Sequence, residues 1–487
     1  MKKINELYDC KYNTLIKDIK INSKEVNPGD LFVCTKGISC DRHDFIDEAV
    51  SNGASFLIVK KTGNYKVPFI KVSNPNKELA TLSRKFYDYP DTKLKLIGIT
   101  GTDGKTTTAT IIRDLLGKDL CGYIGTNGVM GKKINDKISN TTPECHIIYK
   151  YLYLFNKEDL KYVAMETSSE SLLHGRLDSF LFDIGILTNI TEDHLNVHKS
   201  MENYINSKKL LFKKIKDTGI AILNIDDEHY NDFSNITKNK ITYGKNINAD
   251  LCIKEITEKE NSTEISFSYK NNIYNITSPL IGEFNVYNLM AAILCMLSLD
   301  FTIEDILPRI ENITIPKGRC EFLDFNTPYK IVLDYAHTPN GLLSILKYLN
   351  KIKKNRIITI TGSAGGREKE KRNKMGKVVL DNSDLVIFTT DDPRYENPQE
   401  IINEMIKDNK GCYEVIIDRE EAINFALDHA RSGDIILIAG KGRDNYMAVE
   451  DKYIKYCDYD VVENYFNSIS KSIWFCQVLE KYFQNLT

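Results

Sequence analysis

The run Gly101-Thr102-Asp103-Gly104-Lys105-Thr106-Thr107-Thr108 sets one lysine among glycines and hydroxyl groups. That composition suits a polyphosphate: backbone N–H groups can face the anion, a lysine can neutralise it, and a hydroxyl can reach a hard cation. Lys105 is assigned to the β- and γ-phosphates and Thr106 to Mg²⁺, an ion that keeps several of its waters. The loop therefore reads as an ATP or GTP site. A general nucleotide loop has a further glycine five residues before Gly104, where Ile99 stands. Motors, kinases, GTPases and ligases all use such loops, so the loop alone leaves the chemistry open. Downstream, Glu166 and the pair Asp193-His194, with Asn189 before them, put a carboxylate and an imidazole in reach of the same phosphates. Histidine is an uncommon Mg²⁺ ligand, so His194 alone argues little.

These residues need strand ends to hold them. Leu94, Leu96, Ile97 and Ile99 form a buried strand into the loop, and Ala109, Ile111, Ile112, Leu115 and Leu116 recur at helical spacing behind it. Val163-Ala164-Met165 would deliver Glu166, and Ile184 to Leu187 would deliver Asn189 and then Asp193-His194. Strands alternating with helices imply a parallel sheet, in which ligands collect at the carboxyl ends. Residues 1 to about 88 carry short strand-like runs, Asp30–Val33 and Ser55–Val59, split by turn signals such as Asn27-Pro28-Gly29. The polar stretch 87–93 and Ile315-Pro316-Lys317-Gly318 are read as boundaries, giving three α/β domains at 1–90, 91–316 and 317–487. In the third, Ile357–Thr361, Leu385–Thr390 and Ile435–Ala439 are strand candidates. Residues 470–487, with Trp474, read as an extra helix with no assigned role.

Bulk properties narrow the classes. A chain of 487 residues exceeds one core, and 42% hydrophobic with 27% charged residues describes a globular protein. A net charge of -2 gives no field for nucleic acid. Eleven scattered cysteines without a CxxC pair suit reduced thiols in the cytoplasm. The start has no apolar stretch after its lysines, and no window suits a membrane span.

Five motifs carry a resemblance. GTDGKTTT (101–108), METSSE (165–170), TNITEDHL (188–195) with Lys208 downstream, GEFNVYNLMAA (282–292) and LDYAHTP (333–339) stand in the order found in Mur ligases. The chain resembles that family from about Ile21 to Phe466. Its members are ATP-dependent amide-forming enzymes of peptidoglycan precursor synthesis, and their loop is built as TGTxGKT, which accounts for Ile99. The resemblance implies a small UDP-binding domain, a central P-loop ATPase-like domain and a Rossmann-like third domain. It implies that Thr106 and Glu166 hold Mg²⁺ and that His194 helps hold a second ion. It also implies that Lys208 takes up CO₂ as a carbamate, becoming an oxygen ligand in place of a repelled ammonium. Asn285 and Asn288 resemble adenine contacts, and Arg319, Asp334 and His337 resemble nucleotide contacts from a third domain that closes as a lid.

The same resemblance extends to substrates. The segment Ile21–Val59 is similar to a UDP-binding domain, with Asn22-Ser23-Lys24 where Asp-Ser-Arg is usual and Ile38-Ser39 where uracil contacts are usually polar. Ser23 can still serve. Asn140, Thr141, Thr142, Ser168 and Arg176 match the loop for the muramoyl peptide, and Glu170 stands where a histidine is common. For the amino acid, Arg367, Asp392 and Arg394 in Asp391-Asp392-Pro393-Arg394, Gly440 and Asp444 match the expected pocket. Arg394 resembles the arginine of a DNPR motif that goes with meso-diaminopimelate, whose second carboxylate suits a guanidinium fork. Asp392 in place of asparagine adds a negative charge that would suit L-lysine instead, and Arg394 could simply pair with Asp391 or Glu396. The expected reaction joins an amino acid to UDP-N-acetylmuramoyl-L-alanyl-D-glutamate through an acyl phosphate, in a monomer with no nucleic-acid or membrane partner. A folylpolyglutamate- or cyanophycin-type ligase and a P-loop ATP-binding module without ligase activity are the competing readings.

Overall fold

The strand that feeds the phosphate loop, Lys95–Thr100, lies near the middle of an eleven-stranded sheet, between Tyr162–Glu166 and Phe182–Leu187. The computed structural model describes residues 1–37 and 40–468. Strands from Cys121–Gly125 through Leu251–Glu258 run parallel, and antiparallel strands extend both edges. Alternation along Lys95–Thr100 sends Leu96 into one core and Ile97 and Ile99 into the other, so both faces are covered. Helix Lys105–Leu116 buries Ile111, Ile112, Leu115 and Leu116 on one face. It packs against Glu283–Leu297, a helix buried on nearly all sides.

The N-terminal region forms a four-stranded parallel sheet, Ile19–Lys20, Leu31–Val33, Phe56–Val59 and Phe69–Lys71. Its Leu31, Val33, Phe56 and Ile58 join the same apolar cluster as Leu96 and Met165, so this region shares a core with one face of the central sheet. The third region has a six-stranded sheet in the order Glu321–Leu323, Lys330–Asp334, Ile435–Ala439, Ile357–Thr361, Leu385–Phe388, Tyr413–Val415. Only Glu321–Leu323 pairs antiparallel there. The three parts make a three-domain α/β architecture.

One strand is shorter than its sequence suggests. Leu385 onward ends at Phe388 because Thr390 turns its hydroxyl to the Ile417 carbonyl (2.6 Å), which starts the loop carrying Asp391 to Arg394. The ten described cysteines are all free. Among the described residues no helix is long and apolar enough to cross a membrane. The expected tail helix with Trp474 and the Ile38-Ser39 pair lie outside the described residues.

Candidate active site

Parallel register brings three strand ends together: Glu166 lies opposite Ile99, and Leu187 opposite Thr100. The loop between them needs its glycines. Gly101 has φ +148°, and a Cβ there would lie 1.9 Å from Thr188 Oγ1. Gly104 has φ +83°, and a Cβ would lie 2.4 Å from Asn288 Oδ1. Asn189 clasps the loop. Its carbonyl accepts from Thr102 N (2.8 Å), and its side-chain oxygen accepts from Asp103 N (3.0 Å). Lys105 Nζ donates to the carbonyls of Gly101 (2.9 Å) and Thr102 (2.7 Å), and burial pushes its ammonium pKa down. Thr107 is buried behind it.

Thr106 Oγ1 donates to Glu166 Oε2 at 3.0 Å, and Glu166 is fully buried. Among the described residues no group of three or more His, Cys, Asp or Glu side chains forms a ready metal cage. One hydroxyl beside one carboxylate nevertheless fits Mg²⁺, which is commonly held by one or two protein oxygens plus phosphates and water. Glu166 also accepts from two residues that sequence reasoning missed. Tyr123 OH and Thr126 N donate to Oε1, and Thr126 Oγ1 donates to Oε2. No motif surrounds Tyr123; only strand alternation, placing it level with Ala164, could have suggested the contact. From the third domain, Arg319 Nη2 donates to Thr106 Oγ1 (3.3 Å) while its guanidinium lies over the Tyr335 ring.

Lys208 is fully buried, donates to the Gly101 carbonyl (2.8 Å) and lies 4.4 Å from the Tyr204 ring centre. Burial first, and the charge of Lys105 second, push its pKa well below the ordinary lysine value. His194, in a left-handed conformation, has its ring tilted 38° to that of Tyr204, with ring centres 6.3 Å apart. Its Nδ1 is 3.5 Å from Glu170 and its Nε2 is 3.5 Å from Asp193. That contact gives Glu170 a physical role that its departure from histidine had left unexplained: the imidazole holds its carboxyl down to about 2. Burial alone would raise Asp193, but His194 and Lys371 outweigh it and hold it well below the carboxylate range. Lys371 comes from the third domain, at 3.1 Å from Asp193. Within the charged run Arg367–Lys374 it reads like any solvated lysine, so its role was invisible in sequence.

Other expected nucleotide residues are committed to the protein itself. Asn285 and Asn288 bond each other (3.1 Å), and Asn288 also accepts from Thr108 (3.2 Å), which ties two helices behind the loop. Asp334 accepts from the amides of Cys320 (2.6 Å) and Ala336 (2.7 Å), so it shapes the turn that carries Arg319. Burial raises its pKa. His337 Nδ1 meets the Tyr335 carbonyl, and burial lowers its pKa.

Around the Glu166 strand end, Thr142 Oγ1 donates to the Glu166 carbonyl (2.8 Å), accepts from Ser168 N (3.0 Å), and Arg176 donates to the Thr142 carbonyl (3.1 Å). Thr141 meets Thr126 at 3.2 Å, and Asn140 is exposed beside them. Ser23 stands apart in the N-terminal domain, donating to Glu48 at 2.6 Å. In the third domain the pocket is tightly wired. Arg394 pairs with neither Asp391 nor Glu396. Glu396 is taken by Arg372, and Arg394 Nε is buried without a partner. Its side chain runs past Gly366, next to Arg367, which makes no hydrogen bond or ion pair among the described residues. The expectation that Asp392 offers free charge to a lysine substrate is corrected: Lys441 Nζ donates to it at 2.7 Å from a buried position. Gly440, at φ +114°, lets Asp391 approach, since a Cβ would lie 2.6 Å from its Oδ2. Asp444 has its carboxyl pushed up to about 6, by burial first, against the pull of Lys441.

Comparison with known proteins agrees with this geometry. Residues 15–96 match the Mur ligase family catalytic domain, 99–296 the Mur ligase middle domain, and 318–442 the Mur ligase glutamate ligase domain. A UDP-N-acetylmuramoyl-L-alanyl-D-glutamate--2,6-diaminopimelate ligase of Clostridium acetobutylicum is 36% identical over 479 residues, 95% of this chain and 98% of that protein. One of Fusobacterium nucleatum is 38% identical over 471 residues, 93% of this chain and 95% of that protein. A solved structure of a ligase of the same name aligns with TM-score 0.65 at 26% identity, covering 96% of this chain and all of that one. The fold is also that of a Thermotoga maritima MurF ligase solved with ADP, at TM-score 0.68 and 21% identity, over 88% of this chain and 94% of that one. The three domain matches together, and a third domain that reaches the phosphate loop through Arg319, define an ATP-dependent ligase. The chain belongs to the Mur ligase family.

Proposed function

We propose that this protein uses ATP to join meso-diaminopimelate to UDP-N-acetylmuramoyl-L-alanyl-D-glutamate in peptidoglycan precursor synthesis. A substrate carboxylate attacks the γ-phosphorus, releasing ADP and leaving an acyl phosphate. The amino group then adds to the acyl carbon, and the tetrahedral intermediate expels phosphate. Lys105 and Arg319 neutralise charge on the phosphates, and the loop amides fix their position. Thr106 and Glu166 hold one Mg²⁺; His194 and a carbamate formed on Lys208 help hold a second. These ions supply charge neutralisation at the phosphates. The third domain, seated over the loop through Arg319, excludes water that would hydrolyse an acyl phosphate. Thr141, Thr142, Ser168 and Arg176 take the muramoyl peptide, a reading supported by their cluster around the Glu166 strand end, and Ser23 takes the uridine end.

The observation that carries the choice of amino acid is Arg394. A buried guanidinium nitrogen without a protein partner is costly unless a ligand supplies the carboxylate, and the Arg394 side chain passes Gly366, the residue before Arg367. With Asp392 neutralised by Lys441, the pocket keeps positive character, which repels an L-lysine side chain. The test is phosphate release with ATP, Mg²⁺ and the UDP-dipeptide over a panel of amino acids. meso-Diaminopimelate is expected to support turnover and L-lysine little. Arg394→Ala should raise KM for diaminopimelate by about 10–100-fold, the worth of a charge-assisted bond. Preference for L-lysine in the unaltered enzyme overturns the assignment.

A further inference from the structure

Glu166 is held from two directions, and only one of them faces the phosphate loop. Thr106 reaches Oε2 from the loop helix, with Thr126 Oγ1 as a second donor to the same oxygen. Oε1 points back into the sheet, toward Tyr123 OH and Thr126 N. Tyr123 sits in the neighbouring strand Cys121–Gly125, level with Ala164, so its ring and the Glu166 side chain lie on the same sheet face. The hydroxyl's single proton has a fixed destination. Asn127 N donates to the Tyr123 oxygen at 3.2 Å, which leaves the proton for Glu166. Gly125 makes room for the contact, because a Cβ there would lie 2.2 Å from Glu166 Oε1 and 2.4 Å from the Tyr123 hydroxyl.

We infer that Tyr123 is a positioning residue for the metal site: it fixes one oxygen of Glu166 inside the sheet so that the other is presented, one-handed, beside Thr106. The inference rests on the reading of Glu166 as a Mg²⁺ ligand. A carboxylate free to rotate in this space could turn both oxygens into the sheet or chelate through both, and either changes the number of positions left for phosphate oxygens and water. Groups that orient a metal ligand in this way typically change metal affinity or activity by about 10–100-fold when removed.

Tyr123→Phe keeps the ring and deletes the donor. Binding of Mn²⁺ in the presence of ADP, followed by the loss of the free-ion electron paramagnetic resonance signal, is expected to weaken by about 10-fold or more. The Mg²⁺ concentration for half-maximal turnover should rise in parallel, with kcat largely restored at saturating Mg²⁺. Glu166→Gln is the companion variant. If it weakens Mn²⁺ binding and Tyr123→Phe does not, the ligand reading stands and the positioning role is overturned. If neither variant changes ion binding, both are overturned. A Tyr123→Phe protein with a lower unfolding temperature but unchanged ion affinity shows that the hydroxyl serves packing only, which also overturns the inference.

Discussion

Lys208 is a lysine whose surroundings disfavour its charge: it is buried, it shares the Gly101 carbonyl with Lys105, and these outweigh the pull of Asp193 and Asp103. Lowering its pKa increases the neutral amine, the form that attacks CO₂. Lys208→Ala is expected to cut turnover by about 100-fold or more, the upper end for loss of a metal-orienting group. Added formate or acetate should return part of it by supplying the missing oxygens. Wild-type turnover in that variant would remove the carbamate. Asp444 gives a pH prediction. Its folded pKa, about 6, lies above the ordinary 3.8, so the native state binds the proton more tightly than the unfolded chain. Its contribution to stability is therefore full below about 4 and is lost as pH rises towards 6. On the proposed reading of Asp444 as a substrate contact, binding runs the other way, since only the carboxylate would attract the amino group of the incoming amino acid. kcat/KM for the amino acid should climb through pH 6, and Asp444→Asn should flatten that limb. An unchanged limb assigns the titration elsewhere.

At the scale of elements, the loops proposed to form the amino-acid pocket hang on a buried arginine outside them. Arg419 donates to Asp458 (2.8 Å) and to the carbonyls of Ala439 (2.9 Å) and Thr390 (3.4 Å), the residues just before Gly440 and Asp391. Both partners of the ion pair are fully buried. Removing one leaves the other charge stranded, so Asp458→Ala should destabilise the third domain by about 3–5 kcal/mol. Calorimetry of that domain's transition checks the figure. Replacing both with apolar residues should recover much of it. The strands that end at these loops were legible because each is a short apolar run closed by glycine or an acid: Ile435–Ala439 coincides with its expected span. The phosphate loop was legible because its parts are contiguous. Asp392 was misjudged for the opposite reason. Its partner Lys441 lies 49 residues away, and a local motif carries no information on whether a charge is already neutralised. Tyr123 and Glu166, 43 residues apart, pose the same difficulty.

For the whole molecule, catalysis by this reading needs the third domain over the loop, and the contacts that seat it differ in worth. Lys374–Glu192 joins the two domains between half-exposed side chains. Lys371–Asp193 joins them with side chains only 7% and 6% exposed. Water screens the first pair, so its loss should cost no more than about 1 kcal/mol. Lys371→Ala instead takes from the buried Asp193 one of its two partners at the closed interface, leaving His194 as the other, a loss that opening the domain offsets by hydration. The expected result is a larger radius of gyration for Lys371→Ala than for the unaltered enzyme, both measured by X-ray scattering with Mg²⁺ and a non-hydrolysable ATP analogue. kcat/KM should fall about 10-fold or more, the scale of losing one charge-assisted bond at a buried carboxylate. Lys374→Ala should leave the radius of gyration unchanged and kcat/KM within about a factor of five. If the two variants behave alike, burial is not what distinguishes these contacts, and closure is held by the apolar seat at Ile281 and Phe284, which pack into the third domain's core.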